Sequence, residues 1–157
     1  MTNIIQIIED LLQNPVFIIP MMVAMITQGI KGLIRSIQEK KFLWRAFFEW
    51  GGMPSSHSAL VVSLSLIIGI KEGFNSTIYI LSMFFAGIVI ADAIGVRLAT
   101  EEQAKVINKI IQKEIKNPEL KEIYLKESIG HTPIEAITGG IIGLILTHFI
   151  YYGFFVK

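Results

Sequence analysis

The sequence predicts an all-α integral membrane protein: a helical bundle with about four transmembrane helices, an N-terminal interfacial helix, and two short surface helices between spans three and four. Three observations predict it. The 157 residues are 52% hydrophobic and their mean hydropathy is +0.58, too apolar for a soluble domain of this length. Apolar segments of near-spanning length recur to the end of the chain, and the charged residues collect between them. Cysteine is absent, which excludes disulfide and zinc–thiolate chemistry. The start lacks the basic region of a cleavable signal, so residues 1–157 are expected to form one membrane domain with no second domain or repeat.

In order along the chain, Asn3 to Leu12 sets Ile4, Ile5, Ile7, Ile8, Leu11 and Leu12 against Gln6, Glu9 and Asp10. That amphipathic spacing predicts a helix lying in the membrane interface over residues 1–13. Val16 to about Ile34 is the first span, with Pro20 inside it. Phe42 to Trp50 mixes aromatic rings with Arg45 and Glu49, a composition suited to the headgroup layer. The second span, Ser58 to Ile70, covers only about 20 Å against a bilayer core of roughly 30 Å. Ile78 to Val96 is the third span and Ile134 to Val156 the fourth. The charged stretch between them, residues 97–128, reads as two amphipathic cytoplasmic helices. Thr100 would cap the first, and Asn117-Pro118 would start the second.

Four spans bring the loop carrying His57 and the loop from Arg97 to His131 out on one face. Twelve of the 14 Lys and Arg residues lie on that face, leaving only Lys71 and Lys157 on the other. The positive-inside rule puts it in the cytoplasm, and the expected location is a bacterial inner (cytoplasmic) membrane.

Residues 51–59, Gly-Gly-Met-Pro-Ser-Ser-His-Ser-Ala, carry the first half of a candidate site. The glycines allow a close backbone approach, and Ser55 and Ser56 open an apolar helix whose first N–H groups can seat an anion. His57 adds a side chain that exchanges protons near neutral pH. The same Pro-Ser-Ser is also an ordinary helix start. The second half is Ile129-Gly-His-Thr-Pro-Ile-Glu135, with Asp92 and Arg97 at the end of span three. Phosphoryl transfer to histidine needs this set: a nucleophilic imidazole, a carboxylate to hold its tautomer, cations for the phosphate oxygens, and an acid for the leaving group. Thr132-Pro133-Ile134-Glu135 is equally a capping box, which would occupy Glu135 otherwise. Asp92 is costly inside a membrane and reads as functional, as a partner of Arg97, or both. Lys31 ends span one, where snorkelling is the default. Gly139, Gly140 and Gly143 read as close helix packing, within the bundle or between subunits of a homo-oligomer. His148 reads as an interfacial or packing residue.

Pro54-Ser55-Ser56-His57 resembles the Pro-Ser-Gly-His motif of the type-two phosphatidic acid phosphatase superfamily, which includes the vanadium haloperoxidases. Three motifs in order resemble its small divergent branch: Gly-Gly-Met-Pro-Ser-Ser-His-Ser-Ala; Asp92-Ala-Ile-Gly-Val-Arg97 with Gln103-Ala104 and Asn108; and Gly130-His-Thr-Pro-Ile-Glu135. The resemblance runs from about Gln28 to Gly143. It implies that His131 is the nucleophile, Glu135 its orienting partner and His57 the general acid. It further implies that Arg97 and the N–H groups around Ser55 and Ser56 hold the phosphate. Gly52 and Lys31 are expected to join them, Lys31 being one of three substitutes, with Lys41 and Arg45, for the lysine of the parent's first motif, and Asp92 is expected in support. No metal or other cofactor is implied, and no nucleic acid; the partner is a lipid phosphate in the membrane. Three departures from the parent pattern stand out. A gap of 33 residues separates Arg97 from His131, the first-motif lysine is missing, and Glu replaces Asp. The expected function is hydrolysis of a lipid phosphomonoester or diphosphate. The alternative is a non-catalytic lipid-phosphate binder or transporter, and a haloperoxidase, which needs no membrane bundle, comes third.

Overall fold

Each helix that follows a turn starts at a polar side chain placed to cap it. Asn14 Oδ1 accepts from Val16 N at 2.9 Å, Ser55 Oγ from Ser58 N at 3.3 Å, Ser76 Oγ from Tyr79 N at 3.3 Å, and Thr132 Oγ1 from Glu135 N at 3.4 Å. The computed structural model describes residues 3–48, 51–114, 125, 127 and 130–156. The helices are α1 (Ile4–Gln13), α2 (Pro15–Gln38), α3 (Ser56–Glu72), α4 (Thr77–Ile94), α5 (Val96–Glu114) and α6 (Pro133–Ile150). A 3₁₀ turn, Trp44–Phe47, precedes α3, and a π-helical turn, Tyr151–Phe155, continues α6.

The protein is an all-α membrane bundle, and its packing follows from lipid as solvent. Helices gain no hydrophobic energy by leaving lipid for one another, so small residues and hydroxyls line many of the contacts, beside a core of Ile19, Val23, Ile67 and Ile150, and many large apolar side chains face out. On α4 the buried residues are Ser82, Ala86 and Ala93, while Leu81, Phe84, Phe85 and Ile88 are exposed. On α6 the buried ones are Ala136, Gly139, Gly143, Thr147 and Ile150. Helix α3 lies in the middle, packed on α2, α4 and α6. Its hydroxyls pair across the interfaces, Ser63 with Thr147 at 2.6 Å and Ser65 with Ser82 at 3.0 Å.

Three helical runs are long and apolar enough to cross a membrane: Pro15–Gln38, Thr77–Lys113 and Pro133–Phe155. Helix α3, at 17 residues, reaches about 26 Å. It remains shorter than the bilayer core, as the sequence suggests, and is enclosed by the other three. Helix α1 has no buried residue; its outward isoleucines and leucines suit the headgroup–acyl boundary. Phe42, Trp44, Phe47 and Phe48 stack with ring centroids 5.8–6.3 Å apart at the site end of α2.

The stretch after span three holds the first expected surface helix but starts it earlier. Its first part is one 19-residue helix, α5, following α4 across Gly95 within a single helical run from Thr77 to Lys113. At 37 residues this run would measure about 56 Å if straight, so its charged end lies beyond the hydrocarbon. Thr100 does not cap α5, because its hydroxyl donates to Val96 O at 2.9 Å inside the helix. The second surface helix expected from Asn117-Pro118 lies outside the described residues, as does Trp50.

Glycines bring the backbone of α6 close to that at the start of α3. A Cβ on Gly139 would overlap the Ser55 carbonyl, and one on Gly143 would come within 2.6 Å of the Ala59 carbonyl. Gly139→Ala should therefore destabilise the protein by about 1–3 kcal/mol through overpacking. Gly29→Ala, where no atom lies within 4 Å, should leave stability unchanged or raise it by up to about 1 kcal/mol, as alanine does in helices. Thermal unfolding of both variants in detergent reads the contrast.

Candidate functional site

The loop before α3 turns at Gly51 and Gly52, both at φ +80°, a region that other residues adopt only at a cost. A cis peptide bond links Met53 to Pro54. Ser55 is fully buried. Its N–H donates to Glu135 O at 3.1 Å and its hydroxyl accepts from the Ser58 hydroxyl at 3.0 Å. The Ser55 side chain is thus committed to the cap of α3. Ser56 Oγ donates to Gln28 Oε1 at 2.9 Å, and Gln28 Nε2 donates to Phe47 O at 3.1 Å, tying α3, α2 and the 3₁₀ turn together. The first turn of α3, with the dipole of the helix behind it, opens at this point.

His131 arrives from the other side. Its N–H donates to Ala93 O at 3.1 Å, and the neighbouring Gly130 N–H donates to Glu101 Oε2 at 3.1 Å. Farther along α5, Asn108 pairs with both backbone groups of Leu125, donating at 2.8 Å and accepting at 3.0 Å. These contacts fix the approach of the loop to the end of α4. They bring the rings of His57 and His131 edge to face, with centroids 6.2 Å apart.

His131 is 2% exposed, and neither of its ring nitrogens has a hydrogen-bond partner among the described residues. Orphaned buried polar atoms are rare in native proteins, and each costs roughly 1–3 kcal/mol unless something fills it. Burial, the largest cause, holds the His131 pKa below its ordinary value of 6.5; the Glu135 carboxylate pulls it up, and Lys31, His57 and Arg97 push it down. Lys31, 2% exposed, points into the bundle instead of snorkelling outward. No carboxylate lies within ion-pair distance of it among the described residues.

The carboxylates are engaged elsewhere. Glu135 Oε2 accepts from Thr132 N at 2.9 Å, completing the capping box. Glu135 therefore acts on His131 through its charge, without a hydrogen bond to the ring. Asp92 Oδ2 accepts from Arg97 Nε at 2.6 Å, in a pair whose side chains are about 40% exposed. Such a pair is worth little in stability but fixes the direction of the guanidinium. Gly52 borders a polar cleft of about 190 Å³ with Glu101, Glu127, Gly130, Thr132 and Glu135. Among the described residues no three His, Asp or Glu side chains are placed to hold a metal ion. His148 stacks on Tyr152 at 4.6 Å, far along α6 from this cluster.

Sequence reasoning named Gln28 only as the start of the family resemblance and missed Glu101. An amide in an otherwise apolar span was the available signal for Gln28. Glu101 gave none, since its partner is 29 residues away.

The sequence profile of the Divergent PAP2 family matches residues 12–146. The chain is 37% identical over 156 residues to the uncharacterized membrane protein YuiD of Bacillus subtilis (strain 168), covering 92% of this chain and 99% of that protein. No solved structure matches it.

The electrostatics give opposite shifts in two variants. The imidazole of His131 should titrate below pH 6.5 by NMR in phosphate-free buffer. Lys31→Met should move the midpoint up, because a cation is removed. Glu135→Gln should move it further down, and glutamine can still complete the capping box. A folded pKa below the unfolded one also means that His131 costs stability as pH falls through 6.5, since the unfolded chain then takes up the proton first.

Proposed function

Because this chain belongs to the Divergent PAP2 family, we propose that it is a membrane phosphatase, hydrolysing a lipid phosphomonoester or diphosphate through a phosphohistidine. The observation that carries this reading is the buried imidazole of His131, whose two ring nitrogens have no hydrogen-bond partner among the described residues, facing His57 and flanked by the buried ammonium of Lys31. A neutral imidazole at pH 7, which its lowered pKa supplies, is a competent nucleophile.

In the reaction one ring nitrogen of His131 attacks phosphorus. The bond from phosphorus to the leaving oxygen breaks, that oxygen keeps the electron pair, and His57 donates it a proton. Water then attacks the phosphohistidine, giving its proton to His57, and phosphate leaves as His131 is restored. Lys31, Arg97 and the N–H groups at the start of α3 neutralise the phosphate oxygens. Asp92 aims Arg97. Glu135 acts by charge, and Ser55, Ser56 and Gly52 shape the turn. The lysine and arginine distribution supports a site facing the cytoplasm of a bacterium.

One observation favours a second reading, a lipid-phosphate binder or transporter without turnover: among the described residues no carboxylate is hydrogen-bonded to the His131 ring to fix its tautomer, Glu135 being spent on a cap. With so few spans, transport would also require an oligomer.

Phosphate release by purified protein in detergent with EDTA separates the readings. Phosphatidic acid and a polyprenyl diphosphate serve as substrates. Wild type should release phosphate, His131→Ala should release none, and His57→Ala should be slowed by about 10²–10⁴-fold. No release by any form, with binding lost in Arg97→Ala, would establish the binder instead. Orientation has its own check. A thiol reagent outside intact cells should label Asn75→Cys and not Lys41→Cys.

A further inference from the structure

Besides the polar cleft at Gly52, the described residues form a groove of about 260 Å³ between α2 and α3. Met21, Ala24 and Met25 form one wall and Leu60 the other, with Gln28, Ser56 and His57 at one end. Positions 21, 24, 25 and 28 follow the helical i, i+3, i+4, i+7 spacing, so one stripe of α2 supplies the whole wall. Residues 56, 57 and 60 supply the matching stripe of α3.

Three features say what fits it. Helix α2 is a membrane span, and Met21 and Met25 are 43% and 64% exposed, so the groove opens sideways to acyl chains. Its polarity is confined to one end, where Ser56 and Gln28 hydrogen-bond to each other at 2.9 Å. His57 belongs both to that end and to the histidine pair, 6.2 Å from His131. A second apolar cleft of about 210 Å³, lined by Val62, Leu66, Tyr79, Met83 and Leu144 among others, touches neither histidine.

We propose that this groove holds a hydrocarbon chain of the lipid whose phosphate sits between His57 and His131, so that the substrate enters laterally from the bilayer between α2 and α3. The assignment rests on the phosphate-site reading above. A chain moving from bilayer to groove changes one hydrocarbon surrounding for another, so it gains little affinity. What the groove supplies is position, holding phosphorus at the imidazole, where a displacement of about 1 Å can cost 10²-fold in rate. Methionine walls tolerate chains of different shape.

Ala24→Phe places a ring in the groove and provides the test. It should lower kcat/KM for long-chain phosphatidic acid by about 10- to 100-fold. Release from water-soluble p-nitrophenyl phosphate should stay close to wild type. Equal losses on both substrates, or none, would overturn the proposal. A second measurement needs no turnover and no variant. Wild-type protein in phosphatidylcholine vesicles is photolabelled by phosphatidic acid carrying a diazirine in its acyl chain. Label on the segment from Met21 to Met25 and on Leu60, competed by phosphatidic acid and not by added phosphatidylcholine, is expected. That result would keep the groove even if no substrate were hydrolysed. Label confined to α4 or α6, or not competed by phosphatidic acid, would reject the groove whatever the activity.

Discussion

Helices α3 and α6 meet along a seam where glycine lets backbone touch backbone, and the site exists because of that contact. In lipid, apolar side chains have no reason to prefer one another over acyl chains, so association rests on close packing and on hydrogen bonds between small polar groups. Gly139 lies under the Ser55 carbonyl and Gly143 under that of Ala59. Thr147 donates to Ser63 at 2.6 Å, and Ser55 N donates to Glu135 O at 3.1 Å. His57 follows Ser55 by two residues, and His131 precedes Glu135 by four. Once the seam is closed, the distance between the two histidines has little freedom left.

The charges at that end of the bundle are unbalanced in one direction. Lys31 and His131 are both buried; among the described residues neither ring nitrogen of His131 has a hydrogen-bond partner and no carboxylate lies within ion-pair distance of Lys31, while Glu135 is held in a capping box and Asp92 in a pair with Arg97. Burying an ammonium costs several kcal/mol unless an anion meets it, on the order given for buried ions in proteins. A phosphate seated there would offset that cost and also satisfy an orphaned imidazole nitrogen. The same arrangement keeps His131 neutral near pH 7, since burial and the flanking cations all disfavour the imidazolium.

Much of this was legible in the sequence because it depends on local pattern. Long apolar runs mark α2, α4 and α6, and Ser55 and Thr132 mark where α3 and α6 begin. Both roles of Glu135 could be read from Thr-Pro-Ile-Glu, and the structure realises the cap. What could not be read depends on packing or on distance. A change from apolar to charged residues at Arg97 looks like a helix boundary, yet backbone hydrogen bonding is indifferent to it, and α5 follows α4 directly across Gly95. Thr100 looked like a cap but bonds back to Val96. Lys31 at the end of a span is as able to reach outward as inward; which it does depends on what packs over that end of α2, where the turn at Trp44–Phe47 docks through Gln28. Asn108 and Glu101 act across 17 and 29 residues, beyond any local signal.

The central claim is that phosphorus passes through one particular imidazole. Protein mixed with phosphatidic acid bearing ³²P in its phosphate, quenched in alkali within milliseconds and digested, would show where the label resides. The account predicts alkali-stable phosphohistidine on the peptide containing His131, and none of it in His131→Ala. Phosphate released without any label on His131, or label on His57 instead, would contradict it.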